Sequence, residues 1–167
     1  VDDAPEYDRP YEIIRNKLIS TSKEIAVNKT INEILTNFFQ NPNMASKRWL
    51  WEQYDSSVMA DTVLSNGNSD ASVVRIHGTE SKKSLGKGIS MTTDCTPRYV
   101  KSDPIIGGMQ AVREAARNIV STGAKPSAIT NHLNFVNPEK PNIMGEIVGA
   151  IQGISEASIF LNTPIVS

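Results

Sequence analysis

At 167 residues with 39% hydrophobic side chains, the chain suffices for one domain with an ordinary core, or a domain with an appendage. A net charge of -1 supplies no basic surface for a nucleic-acid backbone, and no apolar run approaches the ~20 residues that span a bilayer, so neither nucleic acid nor membrane is an expected partner. A single cysteine, Cys95, excludes an internal disulfide framework, and without a leader pattern at the N-terminus the cytoplasm is the expected compartment.

In chain order, Val1 lacks an initiating Met, and Pro164-Ile165-Val166-Ser167 reads as a strand in progress, which points to a piece of a longer protein. Residues 1–12 combine Pro5, Pro10 and acidic side chains without apolar periodicity and read as an extended, solvated linker. Thr30 and Glu33 form a capping box, after which Ile31, Ile34, Leu35, Phe38 and Phe39 repeat at helical spacing up to Asn41-Pro42. A second short helix is expected through SKRWLWEQYD, with Trp49, Leu50 and Tyr54 as core anchors. Residues 1–42 thus read as linker and helical segment, and 43–167 as the domain.

Beyond Ser57 the period becomes strand-like. Val58 to Leu64, the Asn66-Gly67 turn signal and Ala71 to His77 predict a hairpin, because Asn-Gly suits a turn with positive φ. Lys82, Lys83 and Lys87 lie in a polar loop that lacks the glycine and Lys-Ser/Thr pattern of a P-loop, so a solvated loop is the better reading. Gly88 to Thr93 is a third strand that delivers Asp94. A helix follows Pro104, with Met109, Val112, Ala116 and Ile119 on one stripe and Gly123 as its C-terminal cap. Pro126 to Thr130 is a fourth strand. From Pro141 a helix is expected to bury Ile143, Ile147, Ile151, Ile154 and Leu161 before the last strand. This alternation predicts an α/β or α+β layered fold with helices over a small sheet.

The candidate site collects at the element ends. Asp94 follows the third strand, Glu114 and Asn118 share a helix face four residues apart, and Asn131 and Asn134 follow the fourth strand. Hard cations such as Mg²⁺ take oxygen ligands of this kind, with phosphate completing the shell. Asp and Asn also serve as ordinary caps and turn formers. Arg98, in the expected Pro97-Arg98-Tyr99 turn, carries a guanidinium suited to phosphate or carboxylate. Cys95 has no spaced His partner and reads as a small buried side chain. His77 and His132 have no defensible metal-ligand spacing, and His132 reads as a hydrogen-bonded structural residue.

Several long motifs, NPNMASKRWLWEQYD, TTDCTPRYV, AVREAARNIVSTGAKPSAIT, LNFVNPEKPNIM and TPIVS, resemble the second half of the small-type phosphoribosylformylglycinamidine synthases. APEYDRPY resembles the segment that joins that family's two halves. The resemblance implies an α+β domain similar to the N-terminal domain of aminoimidazole ribonucleotide synthetase, a small mixed sheet covered by helices and truncated at its C-terminus. It further implies ATP and Mg²⁺ as cofactors and formylglycinamide ribonucleotide as substrate. The implied partners are a glutaminase subunit, a small accessory subunit, and a first-half domain or a second copy paired through the sheets.

The same resemblance gives Glu114 and Asn118 the role of Mg²⁺ ligands and puts the Thr130-Asn131 position toward the nucleotide, while the residues' own chemistry adds Asp94 to the metal set and Asn134 and Arg98 to the nucleotide set. It assigns no catalytic residue here, since the family's catalytic His lies in the first half. Departures are visible: Asn131 stands where the family has Asp, Val136 where it has Gly, and Thr96 where it has Asn. A non-catalytic nucleotide-binding dimerisation domain is the alternative reading. A selenophosphate-synthetase-like or thiamin-phosphate-kinase-like enzyme lacks the matching motifs.

Overall fold

The computed structural model describes residues 3–15, 28–57, 59–65 and 67–167. Its elements are α1 (Ile31–Gln40), α2 (Arg48–Trp51), β1 (Thr62–Leu64), β2 (Ser72–Ile76), β3 (Lys87–Met91), α3 (Pro97–Ser102), α4 (Pro104–Ser121) and α5 (Pro141–Leu161). The fold is α+β, with a small three-stranded sheet beside a helical layer.

The capping box forms as predicted. Glu33 N–H donates to Thr30 Oγ1 at 3.3 Å, and Thr30 N–H donates to Glu33 Oε2 at 2.7 Å. Those bonds, the Thr30 backbone N–H first and its hydroxyl second, hold the Glu33 carboxyl below the usual range. Yet α1 buries none of its residues, and Phe39 is 76% exposed. Trp49, Leu50 and Tyr54 are exposed as well, which corrects their assignment as core anchors. The helix that carries Trp49 and Leu50 is a single turn, too short to present a face.

The expected hairpin is present, with strand order β1-β2-β3 and antiparallel pairing throughout. Register between β2 and β3 runs from Ser72↔Met91 to Ile76↔Lys87. Strand β1 starts later than predicted because Met59 and Ala60 hold φ of 58° and 66°, outside any extended conformation. Val58 and Asn66, the other residues invoked for this hairpin, lie outside the described residues. Gly67 takes φ +86°, the left-handed value a tight turn asks of glycine.

The fourth and last strands are corrected to extended segments joined by one parallel bridge, Ile129↔Ile165. Ile129 N–H donates to Pro164 O and Val166 N–H to Ile129 O, both at 2.9 Å. Pro126 and Pro164 have no N–H to continue a ladder. The parallel component of the anticipated mixed sheet is reduced to this contact.

Helices α4 and α5 pack backbone to backbone. A Cβ at Gly108 would lie 2.5 Å from Ala150 O, and one at Gly153 would run into the Ile105 carbonyl. The buried residues of α5 are Gly145, Gly149, Ala150, Gly153, Ala157 and Ser158, whereas Ile151 is 42% exposed. The isoleucine stripe expected as the buried face is therefore corrected to a stripe of small residues. On a helix this apolar all round, the face with the least side chain allows the closest approach and takes the contact. Within α5 an 18-residue window reaches a mean hydropathy of 1.2, so by length and composition alone this helix is apolar enough to cross a membrane. A third of that window is buried within the fold, and Glu146 and Glu156 lie along it.

At the other end of α4, Thr122 and Gly123 stop the helix. Gly123 takes φ +81° and returns its N–H to Val120 O at 2.9 Å, the cap predicted for it. The N-terminal segment is not wholly solvated, a further correction. Glu12 N–H donates to Pro141 O at 3.2 Å, the Glu12 carbonyl lies where a Gly145 Cβ would be, and Arg15 Nε donates to Asp103 Oδ2 at 2.8 Å. Against the raising effect of burial, the Ile106 N–H and the Arg15 guanidinium hold the Asp103 carboxyl below its usual range.

Candidate functional site

The chain leaving β3 runs antiparallel along α4 and is fastened to it step by step. Ser90 Oγ lies 2.9 Å from Thr122 Oγ1, Asn118 Nδ2 donates to Asp94 Oδ1 at 3.0 Å, and Thr96 Oγ1 donates to Gly107 O at 3.0 Å. The glycine at 107 matters here, since a Cβ there would collide with the Val100 backbone of α3. Asp94 and Asn118 are thus held by the register between one extended segment and one helix.

Asp94 is half-buried, and both its oxygens are engaged. Asn118 takes Oδ1, and Thr92 Oγ1 donates to Oδ2 at 3.1 Å. Glu114, also half-buried, sits one turn of α4 before Asn118 on the same face. With its amide nitrogen spent on Asp94, Asn118 keeps its carbonyl oxygen as a donor to a cation.

The other nominated residues make no hydrogen bond to this group among the described residues. Arg98 is exposed in the first turn of α3, where a turn had been expected, and Cys95 is exposed instead of buried. The buried place against α4 is taken by the next residue, Thr96, whose hydroxyl donates to Gly107 O. Asn131 N–H donates to Ser167 Oγ at 3.0 Å, and that hydroxyl donates to Asn131 Oδ1 at 3.0 Å. Asn134 Nδ2 lies 3.4 Å from His132 Nε2, and both are exposed. Among the described residues, no hydrogen bond joins Asn131 or Asn134 to the Asp94 group. Val136 is exposed and is not among the non-glycine residues with positive φ, which among the described residues are Met59, Ala60 and Asn162.

Sequence reasoning missed Thr92, Ser167 and the Arg15–Asp103 pair. The Asp103-Pro104 dipeptide was a legible N-cap signal. Thr92 lies only two residues from Asp94, so that bond is local, whereas Ser167 meets Asn131 only through tertiary contact.

No group of three or more His, Cys, Asp or Glu side chains that could hold a metal ion gathers among the described residues. The oxygen set present, a carboxylate fixed by two donors, an amide carbonyl and a neighbouring carboxylate, fits a cation that draws the rest of its shell from phosphate and water. Mg²⁺ is such a cation, and it commonly uses only one or two protein carboxylates.

Residues 68–167 match the family described as AIR synthase related protein, N-terminal domain, and the chain belongs to that family. It is similar to proteins named phosphoribosylformylglycinamidine synthase subunit PurL. Identity is 49% over 164 residues with that of Rhodospirillum rubrum, covering 98% of this chain and 21% of the relative. It is 50% over 169 residues with that of Caulobacter vibrioides, covering 99% and 22%, and 49% over 166 residues with that of Zymomonas mobilis, covering 99% and 21%. The chain spans about a fifth of the length of these curated relatives.

Proposed function

We propose that this chain is a nucleotide-holding part of a phosphoribosylformylglycinamidine synthase, a carbon–nitrogen ligase of purine biosynthesis. The observation that carries the reading is the Asp94–Asn118 pair, fixed between the end of β3 and α4 with Glu114 one turn away, in a chain 49% identical to PurL proteins. In the reaction the γ-phosphoryl of ATP passes to the amide oxygen of formylglycinamide ribonucleotide, releasing ADP. Ammonia then adds to the activated carbon and phosphate departs, leaving the amidine.

An amide oxygen leaves poorly unless activated, and phosphoryl transfer depends on positioning and charge neutralisation rather than on a protein nucleophile. Asp94, Glu114 and the Asn118 carbonyl would hold Mg²⁺, which neutralises phosphate charge when bound. Asn131 and Asn134 would donate to the nucleotide, and Arg98 would meet its phosphates from α3. No residue here acts as acid, base or nucleophile, so the chain alone turns nothing over. Residues 43–167 form the nucleotide-holding unit, and 1–42 join it to the preceding half.

Ammonia would come from a glutaminase subunit, with a small accessory subunit in a cytoplasmic complex. Pairing with a first-half domain or a second copy is supported by the sheet. In the β2–β3 register, Val74, Ile76, Ile89 and Met91 share the face opposite Ser90, and Ile89 and Met91 are exposed.

Calorimetry with ADP and Mg²⁺, paired with a turnover assay using ATP, substrate and ammonia, tests the reading. Magnesium-dependent ADP binding without turnover is the expected result. Turnover by the chain alone, or no binding, would overturn it.

A further inference from the structure

We infer that Thr92 positions Asp94 for a divalent cation and yields one carboxylate oxygen to it by turning its own hydroxyl toward the Asp70 carbonyl. The assignment rests on the metal and nucleotide reading above. Thr92 Oγ1 lies 3.1 Å from Asp94 Oδ2 and 3.2 Å from Asp70 O. Both neighbours are acceptors, and a hydroxyl has one proton to give, so Thr92 serves only one of them well at a time. The two distances are so close that the change of partner is a rotation of the O–H bond alone, with no heavy atom displaced.

The opposite carboxylate oxygen stays with Asn118 Nδ2 at 3.0 Å throughout. Asp94 therefore keeps its orientation while Oδ2 becomes available. A donor committed to the carboxylate alone would compete with a cation for that oxygen. A side chain without a hydroxyl would leave the carboxylate free to turn about its single remaining bond. Thr92 avoids both, because Asp70 O offers its proton a second place. The backbone on either side is fixed: Ser72↔Met91 is the last register pair of β2 and β3, and the Ser90–Thr122 contact ties β3 to the end of α4.

A purely structural role is the competing account, in which the Thr92 hydroxyl only closes the end of the β2–β3 ladder on Asp70 O. Stability would then respond to its removal, and metal affinity would not. Mn²⁺ is a suitable probe, since its binding in the presence of ADP is read directly by electron paramagnetic resonance on the intact chain. Thr92→Val keeps the branching at Cβ and removes the proton. It should weaken Mn²⁺ binding about tenfold, the lower end for loss of a residue that orients a metal ligand. Thr92→Ser should restore affinity, and metal-free thermal melts should stay close to wild type in both.

In an Asp94→Asn background the same Thr92→Val change should have no further effect, because the oxygen it positions has lost its charge. Should Thr92→Val fold poorly, Thr92→Ala carries the same comparison without the second methyl group. Equal Mn²⁺ affinity in wild type and Thr92→Val, or a weakening that persists beside Asp94→Asn, overturns the role of Thr92 and leaves the metal reading standing. Absence of Mn²⁺ binding by the wild-type chain overturns both.

Discussion

Arg15 and Asp103, 88 positions apart in sequence, meet at 2.8 Å, and the same carboxylate that holds the guanidinium also caps α4. One oxygen of Asp103 receives the Ile106 N–H at 3.1 Å and the other receives Arg15 Nε. Helix initiation and the docking of the N-terminal segment are therefore coupled through one ionisable group.

That coupling sets a pH dependence. Burial alone would raise the Asp103 carboxyl, but the Ile106 N–H and Arg15 outweigh it, so the folded value lies below the unfolded one. A carboxylate depressed in this way contributes stability above its unfolded pKa and loses it as pH falls through the folded value. Melting temperature followed from about pH 7 to about pH 3, the range that brackets an ordinary Asp, should fall more steeply for wild type than for Asp103→Asn. The asparagine keeps the cap and removes the charge, so parallel curves would assign no stability to the ion pair.

Two glycines separate backbone strain from steric overlap. Gly123 has φ +81° and open space around its missing Cβ, so Gly123→Ala should cost about 1 kcal/mol from conformation alone. Gly153 is helical, and its missing Cβ would meet the Ile105 carbonyl, which belongs to backbone and cannot swing aside. Gly153→Ala should cost about 3 kcal/mol, the upper part of the range for overpacking, despite alanine's better helix propensity. Urea denaturation of both variants checks the order, and a reversal would mean that α4 and α5 separate easily.

Features written in local chemistry were legible before any coordinates. The Thr30–Glu33 box, the Gly123 stop and the hairpin ahead of β2 each depend on residues a few positions apart. Features that depend on a distant partner were not. Ile129 pairs with Ile165 in a single bridge instead of a strand, and Asp94 owes much of its geometry to Asn118 on another element. The buried face of α5 was misjudged for a related reason. Apolar periodicity records which residues avoid water, while the contact with α4 is decided by how near two backbones can come, which favours Gly149 and Gly153 over the isoleucines. Cys95 likewise reads as buried by residue type, yet its neighbour Thr96 takes the inward place.

Helix α1 owes its described structure to its cap more than to burial. Thr30→Ala removes a hydroxyl that the Glu33 N–H and carboxylate both use, and should cost about 1 kcal/mol of helix stability. Phe39→Ser, at a side chain 76% exposed, should change global stability by less than about 0.5 kcal/mol. Hydrogen exchange at the α1 amides and a global melt read the two effects separately. A large global loss in Phe39→Ser would show that the aromatic face is covered in solution.

The two groups of site residues should fail in different ways. Asp94→Asn removes the only charge on the carboxyl that Asn118 and Thr92 orient, and it also disturbs two bonds that accept on that charge. Its effect should fall on the magnesium-dependent part of ADP binding, by about tenfold or more, with ADP binding in the absence of metal little changed. Asn131→Ala removes the amide oxygen that accepts from the Ser167 hydroxyl and keeps the backbone N–H that donates to Ser167 Oγ, so it alters a segment that lies apart from Asp94 in the hydrogen-bond network. It should weaken ADP binding to a similar degree with and without magnesium. Calorimetric titrations of both variants at matched metal concentrations separate the patterns. Identical metal dependence in the two would mean that Asp94 and Asn131 act as one group, or that neither meets the nucleotide.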